Sequence, residues 1–101
     1  MEAARRGAYL EFDTVGAPFQ LQAELLETVN TLIQAGLADH LLLSHDAGWY
    51  NPSRTDGLPD EGYRVYTALA CDFIPELLRR GITEELVQLI TVNNPARAFA
   101  F

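Results

Sequence analysis

The sequence is poor in the residues that build several common kinds of site. Its 101 residues include a single cysteine, two histidines and seven basic residues, none of which is lysine. One cysteine excludes an internal disulfide and a cluster of thiolate metal ligands. We expect Cys71 to be a small apolar residue on or beside the buried face of a helix.

Positive charge and long apolar runs are also scarce. Acidic residues outnumber basic ones by fourteen to seven, which argues against nucleic acid and anionic membrane as partners. No apolar run approaches the roughly 20 residues of a membrane span, and residues 1–6 lack the apolar stretch of a signal peptide. With 49% hydrophobic residues the chain has enough apolar residues for a packed core. We therefore expect a cytoplasmic protein of one domain.

The most informative stretch is an unbroken apolar run, Leu41 to Leu43, that leads into Ser44, His45 and Asp46. It predicts a strand from about residue 40 to 46, covered on both faces as in a parallel sheet flanked by helices. Parallel sheets of this kind place ligands beyond the carboxyl ends of their strands. Because side chains alternate across a strand, Ser44 and Asp46 should share one face and His45 the other.

Asp46 has two interpretations at this stage. In the first it caps the following turn, and Ala47 and Gly48 let the chain leave the sheet. In the second it is a carboxylate ligand or proton acceptor in an active site. The pattern by itself names no reaction.

A second strand and a helix precede this run. Strict alternation predicts a strand over residues 8–15, which ends near Asp13. An apolar stripe at helical spacing follows Pro18, and Gly36 ends the helix with Leu37 placed for a Schellman cap. Strand, helix and strand with short connections form a βαβ unit, whose two strands are parallel. Asp13 and Asp46 should therefore reach the same end of the sheet.

The rest of the chain is predicted to be a long loop followed by helices. Residues 47–62 are rich in glycine and proline, and Trp49, Tyr50 and Arg54 either line a pocket there or pin the loop to the domain. A second helical stripe precedes Gly81, and Pro75 should kink or split that helix. Before the first strand, residues 3–6 look like the end of a helix whose beginning is absent.

Four segments together resemble the C-terminal part of the phosphotriesterase family, a branch of the amidohydrolase superfamily of metal-dependent (β/α)8 barrels. The four segments are Gly7 to Asp13 (GAYLEFD), Leu42 to Gly48 (LLSHDAG), Phe73 to Leu77 (FIPEL) and Asn94 to Phe99 (NPARAF). The resemblance implies an α/β fold, a partial (β/α)8 TIM barrel made of the last two βα units and the C-terminal helices. Residues 1–101 would be a single partial domain, the C-terminal portion of such a barrel.

The resemblance also implies roles for particular residues. Asp46 corresponds to the family aspartate that binds a divalent metal, usually zinc, and helps to take a proton from the bridging hydroxide. Asp13 corresponds to a pocket residue, and the loop with Trp49, Tyr50 and Arg54 corresponds to the loop that shapes the substrate site. The implied reaction is hydrolysis of a small-molecule phosphoester, lactone or other ester by a metal-activated hydroxide.

The chain departs from the family pattern by what it lacks. It has no His-x-His pair and no lysine, and a complete barrel takes about 250 residues. A zinc site needs several ligands, so we expect the chain alone to bind zinc weakly and to be inactive.

An alternative function is a small non-catalytic α/β module that oligomerises or completes a split barrel. Two parallel strands leave two open edges, which favours self-association or pairing with a complementary barrel segment.

Overall fold

The computed structural model describes residues 1–17, 22–46, 52–56 and 67–100. A short helix α1 (Glu2–Arg5) precedes strand β1 (Leu10–Phe12), helix α2 (Gln22–Gln34) and strand β2 (Leu41–Leu43). The two strands are parallel, with Leu10 opposite Leu41 and Phe12 opposite Leu43. The predicted strand, helix, strand order and the parallel pairing are therefore confirmed.

Both strands are shorter than the predicted ranges of 8–15 and 40–46. Ala38–His40 form a 3₁₀ turn, so His40 precedes β2 instead of belonging to it. Asp46 has φ 50°, in the left-handed region, which ends the extended conformation before that residue. Pairing continues a little beyond the strands, since the Val15 N–H donates to the Ser44 carbonyl at 3.2 Å.

Helix α2 follows its predicted stripe and its predicted end. At its C-terminus the Gly36 N–H donates to the Ile33 carbonyl and the Leu37 N–H to the Leu32 carbonyl, both at 3.0 Å. This is the Schellman pattern, and the φ of 78° at Gly36 is the left-handed conformation that the pattern requires. The buried residues of the helix form one stripe, Leu25, Leu26, Val29, Leu32 and Ile33.

The C-terminal helices contain two π-helical stretches, each directly before a proline-containing α-helix. Residues Leu69–Phe73 lead into α3 (Ile74–Arg79), and α4 (Glu84–Gln88) passes through Leu89–Asn93 into α5 (Asn94–Ala98). Pro75 and Pro95 are each the second residue of their α-helical stretch. Because proline lacks an N–H, the widened turn accommodates it where a regular helix would lose a hydrogen bond.

The π-helical stretch also explains why one expectation was wrong. Cys71 lies within Leu69–Phe73 and is exposed, although it was expected on or beside a buried face. A π turn holds more residues than an α turn, so the spacing of three and four no longer determines which side chain faces the core. Phe73, from the same stretch, is buried.

The core lies between the sheet and the helices. Val15, Val29 and Leu41 have no exposed surface, and Leu77 and Ile90 are almost completely buried beside them. No helix in the described ranges is both long and apolar enough to cross a bilayer.

Gly16 and Gly36 form a matched pair for a stability measurement. Both have φ 78°, but a Cβ on Gly16 would lie 2.5 Å from the Cβ of Ala68, whereas a Cβ on Gly36 would meet nothing within 4 Å. Gly36→Ala should cost only the left-handed strain, about 1–2 kcal/mol of unfolding free energy. Gly16→Ala should cost a further ~1–3 kcal/mol because the two chain segments are forced apart. Urea unfolding of both variants measures the difference, and equal losses would contradict the close approach at Ala68.

Candidate functional site at the strand ends

The candidate site lies at the carboxyl ends of β1 and β2. With Phe12 opposite Leu43, Asp13 is level with Ser44 just beyond the paired residues. The Ser44 hydroxyl donates to Glu11 Oε1 at 3.1 Å, so these two side chains lie on the same face of the sheet. The structure thus brings together Glu11 and Ser44, which lie two residues before Asp13 and Asp46 in their strands. The two residues in contact are 33 positions apart in the sequence.

His45 turns toward the helices. Its Nε2 accepts a hydrogen bond from the Leu69 N–H at 2.9 Å, at the beginning of the helix that leads into α3. The N–H groups in the first turn of a helix have no partner within the helix, so this imidazole satisfies one of them. An acceptor Nε2 places the ring proton of the neutral form on Nδ1. His45 therefore holds a helix start in place, on the side of the sheet away from Ser44.

Asp46 follows His45 with a different backbone conformation. Its φ of 50° is the only positive value among non-glycine residues in the part of the chain that the structure describes. The left-handed region is uncommon for a residue with a side chain, although aspartate tolerates it better than most. The alternation of strand side chains therefore stops before Asp46, and the turn sets the direction of its carboxylate.

Gln22 holds the segment that carries Asp13, a role that the sequence did not reveal. Its Oε1 accepts from the Gly16 N–H at 3.0 Å, and its Nε2 donates to the carbonyls of Thr14 at 3.3 Å and Ala17 at 3.4 Å. One side-chain amide thus supplies a partner to the Gly16 N–H and the Ala17 carbonyl, and a second donor to the Thr14 carbonyl, which also accepts from the Ala17 N–H. Its position at the start of α2 was the available signal.

Asn94 and Arg97 hold the other side of β2, a role that was not predicted for either residue. Asn94 is completely buried, and its Nδ2 donates to the carbonyls of Ala38 at 2.7 Å and Leu41 at 2.9 Å. Arg97 donates to Asn94 Oδ1 at 2.7 Å and to the Asp39 carbonyl at 3.0 Å. The NPAR segment of the quoted motif therefore fixes the entry of β2.

Of the three loop residues that were predicted to line a pocket, the structure describes Arg54. Trp49 and Tyr50 lie outside the described residues. Arg54 makes a two-pronged ion pair with Asp56, with Nε to Oδ1 at 3.1 Å and Nη2 to Oδ2 at 2.7 Å. This pair closes a local turn of the loop, and a guanidinium held in this way is oriented before any ligand arrives.

The resemblance implies a divalent metal, which would need several ligating side chains close together. Within residues 1–17, 22–46, 52–56 and 67–100 there is no group of three or more histidine, cysteine, aspartate or glutamate side chains that could hold a metal ion. A closed zinc site takes about four ligands. The described residues therefore do not make a metal site by themselves.

Comparison with known proteins gives a consistent result. The model of the phosphotriesterase family matches residues 1–99. The phosphotriesterase-related protein of Drosophila mojavensis is 32% identical over 112 aligned positions, which cover 100% of this chain and 31% of that protein. The chain thus spans about a third of the length of the curated relatives that it matches.

Solved structures agree in fold as well as in sequence. The organophosphorus hydrolase from Deinococcus radiodurans superposes with a TM-score of 0.83 at 38% identity, over 98% of this chain and 32% of that one. The phosphotriesterase from Mycobacterium tuberculosis superposes with a TM-score of 0.84 at 29% identity, over 98% of this chain and 32% of that one. The described residues, with their two parallel strands, form a small α/β unit that superposes on about a third of each of these structures. The chain belongs to the phosphotriesterase family.

Proposed function

We propose that the chain is the C-terminal part of a phosphotriesterase-like, metal-dependent hydrolase. In this proposal β1 and β2 belong to the last two βα units of a (β/α)8 barrel. The observation that supports it most directly is the pair of parallel strands with Asp13 and Asp46 following their carboxyl ends, in a chain matched by the family over residues 1–99. Active sites of such barrels lie at this end of the strands.

The substrate is proposed to be a small-molecule phosphoester, lactone or other ester. Support comes from the relatives, among them an organophosphorus hydrolase that is 38% identical to this chain. Asp46 is proposed as the metal ligand and proton acceptor, and Asp13, Trp49, Tyr50 and Arg54 as the residues that bind substrate. The resemblance to the family implies a divalent metal, usually zinc. This metal would supply an activated hydroxide once the rest of the barrel adds its ligands.

The isolated chain should be inactive and should bind zinc weakly. Its described residues do not bring three metal-ligating side chains together, and affinity falls steeply with fewer ligands. Isothermal titration of the 101-residue chain with zinc should show no one-to-one site tighter than about 1 μM, the affinity that corresponds to ~8 kcal/mol. A submicromolar one-to-one site that Asp46→Asn abolishes would contradict the proposal that the rest of the barrel supplies most of the metal ligands.

A chimera tests the proposed activity. The third of the Deinococcus radiodurans enzyme that matches this chain would be replaced by residues 1–99, and the protein would be assayed with an organophosphate triester, a lactone and an aryl ester. We expect hydrolysis of at least one substrate by the chimera and of none by the isolated chain. A folded, zinc-loaded chimera that hydrolyses none of the three substrates would contradict the proposal.

A second candidate function is assembly without catalysis. The described part of the chain has a sheet of only two strands, and strands with open edges pair readily with others. The partner would be a second copy of the chain or a complementary barrel segment. A folded but inactive chimera, together with a stable complex of the isolated chain, would favour this candidate.

A further inference from the structure

A small cavity lies between the start of α2 and the helical segment that leads into α3. It has a volume of about 210 Å³. We call it the α2–α3 cavity. Its described lining is Gly16, Gln22 and Leu26 on one side, and Ala68, Asp72, Phe73 and Glu76 on the other. Neither Asp13 nor Asp46 is among these residues, so the cavity is separate from the two carboxylates that follow the strands.

The walls of the α2–α3 cavity are apolar. Leu26, Ala68 and Phe73 are all buried. Gly16 adds only backbone, and it lies so close to Ala68 that a Cβ on the glycine would be 2.5 Å from the alanine Cβ. A water molecule needs two to four polar partners, so these walls hold water weakly. An apolar group that displaces such water gains affinity.

Two of the three polar side chains of the cavity are already engaged. The Gln22 amide bonds three backbone groups in the turn described above. Glu76 pairs with Arg79 at 3.1 Å and with Arg80 at 3.7 Å, so its negative charge is compensated. A ligand that used either side chain would have to compete with these contacts.

Asp72 is the third polar side chain, and its charge is not compensated. It is exposed, and it makes no hydrogen bond or ion pair with any residue that the structure describes. The formal net charge of −7 on the whole chain adds to the attraction of its carboxylate for cations. The cavity therefore combines apolar walls with one carboxylate at its exposed rim, an arrangement that repels anions and complements a cation with an apolar body.

We propose that the α2–α3 cavity binds a small organic ligand with a primary ammonium group and an apolar body of a few carbon atoms. The volume sets the size, because sites for drug-sized ligands measure roughly 300–1,000 Å³. The ammonium group would donate to the Asp72 carboxylate while the carbon atoms pack against Leu26 and Phe73. A second copy of the chain does not supply such a side chain, since the sequence contains no lysine. This inference does not depend on the proposed hydrolase, because it involves neither catalysis nor the rest of a barrel.

The test is an NMR titration of the 101-residue chain with 3-methylbutylammonium chloride. The backbone amide signals of Gly16, Ala68 and Phe73 should shift along one saturable curve. The neutral alcohol of the same carbon skeleton, 3-methylbutanol, should bind about two- to fivefold more weakly, the range expected for the loss of one exposed ion pair. Ammonium chloride, which has the charge without the skeleton, should give no saturable shift. Added salt should weaken binding of the amine and not of the alcohol.

Two variants locate the charge that the ligand recognises. Asp72→Asn should weaken binding of the amine about two- to fivefold and leave binding of the alcohol unchanged. Glu85→Gln removes the same charge at an exposed position of α4, outside the described lining of the cavity, and should leave both ligands unaffected. Melting curves establish that both variants fold, and the comparison of amine with alcohol on the parent chain depends on neither variant.

Four results would overturn the proposal. The first is a titration in which the amine causes no saturable shift of the three cavity signals. The second is equal affinity for the amine and the alcohol, which would mean that the cavity takes any small apolar molecule. The third is saturable binding of ammonium chloride at the same signals, which would mean that Asp72 attracts a simple counter-ion. The fourth is an equal loss of affinity in Asp72→Asn and Glu85→Gln, which would assign the effect to the net charge of the chain.

Discussion

Asp46→Asn is expected to lower the rate of ester hydrolysis by about 10²- to 10⁴-fold in the chimera, the range typical for the loss of a general base. The substitution keeps the size and shape of the side chain but removes its negative charge and its ability to accept a proton. Asparagine also tolerates the left-handed conformation at this position, where φ is 50°. The loss should therefore appear in kcat, with the melting temperature close to that of the parent chimera.

His45→Asn is the matched control for this experiment, one residue earlier in the chain. His45 accepts from the Leu69 N–H at 2.9 Å and turns toward the helices. Its replacement should lower the unfolding free energy by about 1 kcal/mol, as for the loss of a helix N-cap, and leave kcat nearly unchanged. If Asp46→Asn kept near-parental turnover while His45→Asn abolished it, the assignment of Asp46 would be wrong and His45 would be the functional residue.

Asn94→Ala is expected to lower the unfolding free energy by about 2–4 kcal/mol. The substitution removes the donors to the carbonyls of Ala38 and Leu41, at 2.7 and 2.9 Å, and leaves these groups without that partner. It also opens a void at a residue with no exposed surface. For a domain of this size such a loss is a large part of the total stability. Urea unfolding of the isolated chain measures it.

Asn93→Ala is the matched control for this prediction. Asn93 is the preceding residue and is exposed, so its truncation should change the unfolding free energy by less than ~0.5 kcal/mol. Similar losses for the two variants would mean that the helix, and not the contact with the entry of β2, limits stability.

The features that depend on neighbours along the chain could be predicted from the sequence. The stripe of α2 and its Schellman end at Gly36 and Leu37 involve residues a few positions apart, and the structure has both as predicted. Thr83 accepts from the Leu86 N–H at 3.3 Å as the cap of α4, another contact between residues only three positions apart. Short-range hydrogen bonds and apolar periodicity operate before any tertiary contact forms, so residue type and spacing are sufficient for them.

The order of elements and the parallel strands were also predictable, because short connections permit few arrangements. They place Asp13 and Asp46 after the ends of neighbouring strands. The lengths of those strands were not predictable. The 3₁₀ turn at Ala38–His40 and the left-handed Asp46 shorten β2 at its two ends, and alternation of residue types does not register either one.

Contacts between distant segments were decided only by the tertiary structure. His45 meets Leu69 across 24 positions, Ser44 meets Glu11 across 33, and Asn94 reaches Ala38 across 56. A polar side chain has many potential partners in an unfolded chain, and tertiary packing selects one by bringing it within hydrogen-bonding distance. The sequence alone therefore determined the order of the strands and helices and which carboxylates follow the strands. The tertiary structure decided which polar groups hold those strand ends in place, because that choice depends on distances the sequence does not contain.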